Sequence, residues 1–448
     1  MKVNFATFLE QGVAPLLDYL QEVCGVNTIR MQTGMHSPNA SWDPEAAFPC
    51  GGTGAPIRIE RYAASGITPS CILGDQDDAT RKRLWEEIRN ETRKRQMVLM
   101  ARTHGLGHVR QAHGISHVLT SDPYGRTTNY GCYHNPHFTA YARAIVEDAM
   151  SEGWFDGLQI RDETKSTLRM AMGDRQNLGP NCFCRYCQEI GERRGINFHR
   201  AKEGYRLLVE TSEECRRTGQ PPRDGGLTFL LRTFTAYPEI WQWHQLQLEG
   251  REGLHRALAG QARVQHSGAI IGHHTFNPTT FEPFFRAEFD YRSLSEYIDW
   301  VMPMMYHKDS FKRQRKTADG MRASFFPDLE PQEFLEGFRR MIGWPADSQP
   351  PFDHDGNVGL TDDFLIREIQ RAKANVTGET KVVAGLGWDI GRKPDQPTFE
   401  PSFERTYEAT AAALSADPDG LMLARAFRES HPDNLKAAGR AMREAGWF

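Results

Sequence analysis

The chain has 448 residues, 39% of them hydrophobic and 25% charged, with a formal net charge of −4. That is enough for one large buried core or two smaller ones, and the slight acidity, with no basic stripe, argues against a nucleic-acid partner. No run approaches the ~18 apolar residues of a spanning helix, which argues against a membrane, and the opening stretch meets Glu10 too early for a secretory signal, so a cytoplasmic protein of a bacterium is expected.

In chain order, β-branched and apolar runs predict strands at 2–7, 27–33, 97–103, 155–161, 269–274, 300–306, 381–388 and 420–425. Amphipathic spacing predicts helices at 13–23, 81–95, 138–152, 240–262, 363–374, 403–414 and 432–444. Strand and helix alternating to a count of eight point to a single (β/α)8 TIM barrel over 1–448, with its site at the carboxyl ends of the strands. Longer stretches at about 36–80, 164–265 and 308–362 read as insertions on the surface of that domain.

The segments that follow these strands hold the unusual residues. The fourth run, Phe155-Asp156-Gly157-Leu158-Gln159-Ile160-Arg161, ends in the adjacent carboxylates Asp162 and Glu163. Acids clustered at the exit of a buried parallel strand fall where ligands bind. Neighbours on an extended strand point to opposite faces, so the two share a site only if a bulge or turn separates them. Trp42 follows the second strand, His273 and His274 close the fifth, Tyr306 and His307 the sixth, Trp388 and Asp389 the seventh, and Arg425 the eighth.

The fourth strand with its terminal acids resembles the strand-four signature of family 18 chitinase-type glycoside hydrolases, in which Glu163 takes the catalytic place. This chain departs by carrying Gln159 and Arg161 at positions that are acidic there. Asp162-Glu163 also resembles the Asn-Glu pair of the large retaining glycosidase clan, whose glutamate is the acid/base. Cys132-Tyr133-His134-Asn135-Pro136 ahead of the Asp-Gly strand, and Cys182-Phe183-Cys184-Arg185-Tyr186-Cys187 after it, are similar to segments of a group of bacterial glycoside hydrolases with barrel domains. The resemblance implies a carbohydrate substrate and hydrolysis of an O-glycosyl bond without a catalytic cofactor.

Such chemistry needs one protonated carboxyl for the leaving oxygen and a second carboxylate as nucleophile or base. Glu163 is the expected acid. Asp389 is the expected second group, because strand seven lies across a barrel from strand four, and Asp162 is its alternative. Trp42, Tyr306 and Trp388 are candidate sugar platforms. His273, His274 and His307 are candidate hydroxyl partners, and Arg161 and Arg425 candidate charged contacts, Arg425 for a carboxylate or sulfate. Cys182, Cys184 and Cys187 stand at zinc-ligand spacing, with Cys132, Cys215 or a histidine as the fourth ligand of a structural zinc. His104, His108, His113, His117, His134 and His137 read as a loop lining the sugar site. Two other functions fit the same residues, a metal-dependent barrel hydrolase or lyase and a non-catalytic sugar-binding barrel. Sugar identity and oligomeric state are not encoded in any motif.

Overall fold

The computed structural model describes residues 1–32, 58–69, 78–103, 112–161, 166–172, 181–345, 348–354, 359–388, 402–424 and 426–448. At its centre is a curled parallel sheet of seven strands. These are β1 (Thr28–Gln32), β2 (Val98–Arg102), β3 (Gly157–Arg161), β4 (Ile270–His274), β5 (Trp300–Met302), β6 (Lys381–Gly387) and β7 (Gly420–Ala424), each paired to the next in chain order.

The strand expected at 2–7 does not form as such, because Phe5–Gln11 is helical. A single residue remains: Lys2 bridges Arg30 on one side and Ala426 on the other. Val3 N–H donates to the Arg30 carbonyl at 3.1 Å, and Phe427 N–H to the Lys2 carbonyl at 3.0 Å. The two edges of the sheet are thereby both tied to the first residues of the chain.

Helices α1 (Asp78–Lys94), α2 (Pro136–Met150), α3 (Phe198–Thr218), α4 (Glu239–Gln265), α5 (His307–Phe325), α6 (Asp362–Asn375), α7 (Phe403–Ser415) and α8 (Pro432–Glu444) follow in chain order. Capping fixes several of their starts. Asn135 accepts from His137 N–H with Pro136 in the first turn, Asn197 accepts from Arg200 N–H, and Ser402 accepts from Arg405 N–H. α3 and α5 lie in stretches that read as insertions. Each buries a stripe at helical spacing, Ala201, Tyr205, Leu208, Ser212 and Cys215 in α3 and Phe311, Gln314, Ala318, Met321 and Phe325 in α5.

Three aspartates set the strand starts. Asp156, Asp299 and Asp419 each precede a strand and accept a backbone N–H from the strand before it, from Leu99 at 2.8 Å, Ile271 at 2.6 Å and Val382 at 2.8 Å. Asp156 also takes an ion pair from Arg89 of α1, 2.7 Å from its Nη1. Gly157 beside it is needed for close approach, since a Cβ there would lie 2.1 Å from the Ile270 carbonyl oxygen. The Asp-Gly pair is thus a register device. Among the described residues no helix is long and apolar enough to cross a membrane.

Candidate functional site

Strand residues alternate between two faces, and the core contacts tell the faces apart. Ile29, Met31, Leu99, Ala101, Leu158, Ile160, Ile271 and Val301 belong to the large core beneath the helices. Met302, Met304 and Met422 form a separate small cluster on the concave face, with Trp300, Tyr306 and Val383 against it. Gly272 lets the Trp300 indole lie across that concavity, because a Cβ would sit 2.0 Å from the ring.

The concave face also carries the charged residues of the strands. Arg30, Arg102, Gln159, Arg161 and His274 share its parity: Arg102 registers with Gln159, and Arg161 with His274. Arg30 donates from Nη1 to Gln159 Oε1 at 2.8 Å, and both side chains are buried, 5% and 0% exposed. Burial lowers the Arg30 guanidinium to about 10, with Tyr306 opposing that shift and Arg161 adding to it. Burial first, then Arg161, Arg102 and Arg30, hold His274 well below the usual imidazole range, so it is neutral. Arg30 Nε, Gln159 Nε2 and His274 Nδ1 are buried without a hydrogen-bond partner. Arg30 and Arg102 escaped notice in the sequence, although charges at alternate places in an apolar run are a readable sign of a polar lumen.

Tyr306 marks the rim. Its φ of 39° and ψ of 48° are left-handed, an outlier for a bulky side chain. Such a residue costs on the order of 1–3 kcal/mol and persists where its surroundings over-determine it. Here Asp309 and Ser310 N–H bond its carbonyl at 2.8 and 2.9 Å, while Asn277 Nδ2 holds the Met304 and Met305 carbonyls at 2.7 and 3.1 Å.

Three expected contact residues lie elsewhere. His273 has the opposite parity to His274 and packs on the helical side, its ring 5.0 Å from His255 and 6.1 Å from Phe289. His307 opens α5, fully buried, and burial, then Lys308 and Arg405, lower it to about 3. Trp388 follows β6 inside the large core, 2% exposed. Trp42, Asp162, Glu163, Asp389 and Arg425, together with His104 and His108, lie outside the described residues. His117, His134 and His137 bond the carbonyls of Ser65, Leu246 and Ala64, which gives them structural roles.

The cysteines converge. Sulfur atoms of Cys132, Cys182, Cys184 and Cys187 all lie within 4.8 Å of one another, and the six described cysteines are free thiols. Cys132 to Cys184 and to Cys187 is 3.5 Å, and Cys184 to Cys187 is 3.9 Å. A tetrahedron with metal–sulfur bonds of about 2.3 Å has edges of roughly 3.8 Å, so the four sulfurs fit a zinc ion held by thiolates alone. Of the three fourth-ligand candidates, Cys132 is the one in this group; Cys215 sits on α3 outside it. Phe183 N–H bonds the Ser121 carbonyl at 2.6 Å, and the Phe183 ring stacks on Trp243 of α4 at 5.1 Å.

On the helical side the buried carboxylates are paired. Glu368 lies between Arg286 at 2.9 Å and Arg371 at 2.8 Å. Glu282 faces Arg169 at 3.5 Å and accepts from Phe285 N–H at 2.7 Å, yet burial raises it to about 7. Glu288 meets Arg251 at 3.5 Å and accepts from Ser166, the first described residue after β3. A cavity of about 830 Å³ opens at the other end of the sheet, beside Thr28, Trp300, Lys381 and Asp419. It lies at the starts of the strands, away from the carboxyl ends where β3 leads into Asp162 and Glu163.

No protein-family model matches this chain, and no curated protein does. Among solved structures it is similar to a polyextremophilic β-galactosidase of the haloarchaeon Halorubrum lacusprofundi, with 12% identity and a TM-score of 0.48 over 97% of this chain and 57% of that one. A β-galactosidase of Marinomonas ef1 gives 10% and 0.48 over 95% and 56%. The α-L-fucosidase isoenzyme 2 of Paenibacillus thiaminolyticus gives 9% and 0.46 over 96% and 45%. The chain thus spans about half the length of these proteins.

Proposed function

We propose that this chain is a glycoside hydrolase on a (β/α)8 barrel whose eighth staff is the short segment around Lys2, acting at the carboxyl ends of the strands. Closure is supported by the double bridge of Lys2 to Arg30 and Ala426. The observation that carries the function is the set of buried polar groups on the concave face, Arg30, Gln159 and His274, with hydrogen-bonding atoms still open, on strands of which β3 runs directly into Asp162 and Glu163. Open, buried, convergent polar groups are what a hydroxyl-rich ligand requires.

Glu163 gives its proton to the glycosidic oxygen as the bond from that oxygen to the anomeric carbon breaks. Water supplies the oxygen that the anomeric carbon gains, directly or by release of a glycosyl-enzyme, and returns a proton to the carboxylate. Asp389 is the second carboxylate, with Asp162 as its alternative. Arg161, His274 and Tyr306 line the sugar site, joined by Trp42 and Arg425. Zinc on Cys132, Cys182, Cys184 and Cys187 is structural, since four thiolates fill its tetrahedron and leave no position for water.

The test is hydrolysis of aryl glycosides and oligosaccharides by wild type and Glu163→Gln. Turnover is expected to fall by about 10² to 10⁴ in the variant, the scale of a lost general acid, with folding unchanged. Near-normal activity in Glu163→Gln sinks the assignment. Purified wild type is expected to hold about one zinc per chain and Cys132→Ser to lose it, with a lower Tm. Metal-free wild type of unchanged Tm would refute the zinc site.

A further inference from the structure

We propose that the cavity at the starts of the strands, at the end of the sheet opposite the proposed sugar site, binds a small monocarboxylate with an apolar aliphatic or aryl body, its head group on Arg30. The concave side of a curled parallel sheet is ordinarily filled by layers of side chains. Here about 830 Å³ stays open, within the range of small-molecule sites. Small residues at the first concave position of two strands make the room: Thr28 in β1, two before Arg30, and Gly420 in β7, two before Met422. The Trp300 indole lies over Gly272 and so forms a wall of the cavity, not a plug.

Deeper in, the lining is apolar except at one point. Met100, Met302, Val383 and Met422 stand one concave position further along their strands, and Arg30 stands beside them, registered with Met100. Arg30 is 5% exposed, its Nη1 is used on the neutral Gln159, and its Nε has no partner. Among the described residues no carboxylate meets it, and at about 10 the guanidinium is still charged at neutral pH. Gln159 and His274 do not border the cavity, so of the three open groups Arg30 alone faces it. A desolvated guanidinium bonded only to an amide lacks the charge partner that offsets its burial. A carboxylate supplies that partner, because its two oxygens match the donor fork, and a neutral hydroxyl or amide does not. The methionines suit an apolar body, since their flexible thioethers fit themselves to its shape. At the mouth, Asp299 and Asp419 are spent on the Ile271 and Val382 N–H groups and Glu296 on Arg256, which leaves Glu379 against Lys381. The preference for an anion is therefore set by Arg30 at depth and not by the rim.

Titration calorimetry of the purified full chain with hexanoate and with hexanamide, its neutral counterpart, tests this. Wild type is expected to bind hexanoate at least ~10-fold more tightly than hexanamide, the worth of a charge-assisted bond to a buried group. Acetate, which has the head group without the body, is expected to bind at least ~10-fold more weakly than hexanoate. Arg30→Met keeps a long apolar side chain in place and should erase the preference for hexanoate over hexanamide. Val383→Phe fills the cavity from β6, leaves Arg30 in place and should weaken both ligands at least ~10-fold, which keeps the site testable if Arg30→Met does not fold. Circular dichroism establishes that each variant is folded. Equal affinity of wild type for hexanoate and hexanamide, or no binding of hexanoate at ~10 mM, overturns the inference. Hexanoate binding left unchanged by Val383→Phe puts the ligand elsewhere and overturns it as well. None of these readouts uses glycoside turnover, so failure here and failure of the glycosidase reading are separate results.

Discussion

The two faces of the central sheet bury cations on opposite terms. On the helical side four guanidiniums have a carboxylate: Arg286 and Arg371 share Glu368, Arg251 meets Glu288, and Arg169 meets Glu282, while the fully buried Arg339 is held by Gln314 and the Pro350 carbonyl. On the concave side Arg30 leans on a neutral amide, Gln159, and polar atoms stay open. Ion pairs of this kind hold the sheet against its helices. Incomplete pairing costs stability, and a site that binds something is where such a cost is retained.

The sharpest way to break this contrast is to remove a helical-side partner. Glu368→Leu would leave two guanidiniums buried without their carboxylate, and a loss of about 3–5 kcal/mol is expected, the cost of breaking a buried pair from one side. Urea unfolding followed by circular dichroism measures it through the midpoint at constant slope. A change under ~1 kcal/mol would mean that these pairs are solvated.

Next in size is a pH effect. Glu282 is raised by burial from the ordinary 4.5 to about 7. A folded-state pKa above the unfolded one means the native state binds the proton more tightly. Its stabilising contribution is therefore full below about pH 4.5 and is lost as pH rises through 7, a swing on the order of 3 kcal/mol. Wild-type Tm should fall between pH 5 and 8 by more than that of Glu282→Gln, which does not titrate. Parallel curves would show that Arg169 offsets the burial of Glu282 completely.

Most of the frame was legible in the sequence and the division between faces was not. Strand runs near β1 to β7 announced themselves by apolar content, and the Asp-Gly motif located β3. The residues 2–7 misled because Lys2 makes only a bridge before Phe5–Gln11 turns helical, a tertiary closure that local propensity cannot reveal. α5 was hidden by its charged surface, with Lys312, Arg313, Arg315 and Lys316 masking the buried stripe from Phe311 to Phe325. The spacing of Cys182, Cys184 and Cys187 suggested a cluster, whereas the choice of Cys132 over Cys215 needed three-dimensional proximity. His273 and His274 looked equivalent as a pair, and only strand parity separates them.

That pair supplies the smallest and most discriminating test. The two histidines are adjacent on β4, both buried, and carry the same side chain, so composition and burial cannot account for any difference between them. His274 turns to the concave face among Arg30, Arg102 and Arg161, while His273 turns to His255 and Phe289. His274→Ala should lower kcat/KM by about tenfold, the worth of one hydrogen bond of roughly 1.4 kcal/mol, with little change in Tm. His273→Ala should do the reverse, opening a cavity under α4 that lowers Tm while kcat/KM stays within about twofold of wild type, roughly the precision of the comparison. Equal effects on both quantities would mean that β4 does not divide its faces between chemistry and packing, and the site would then have to be sought off the concave face.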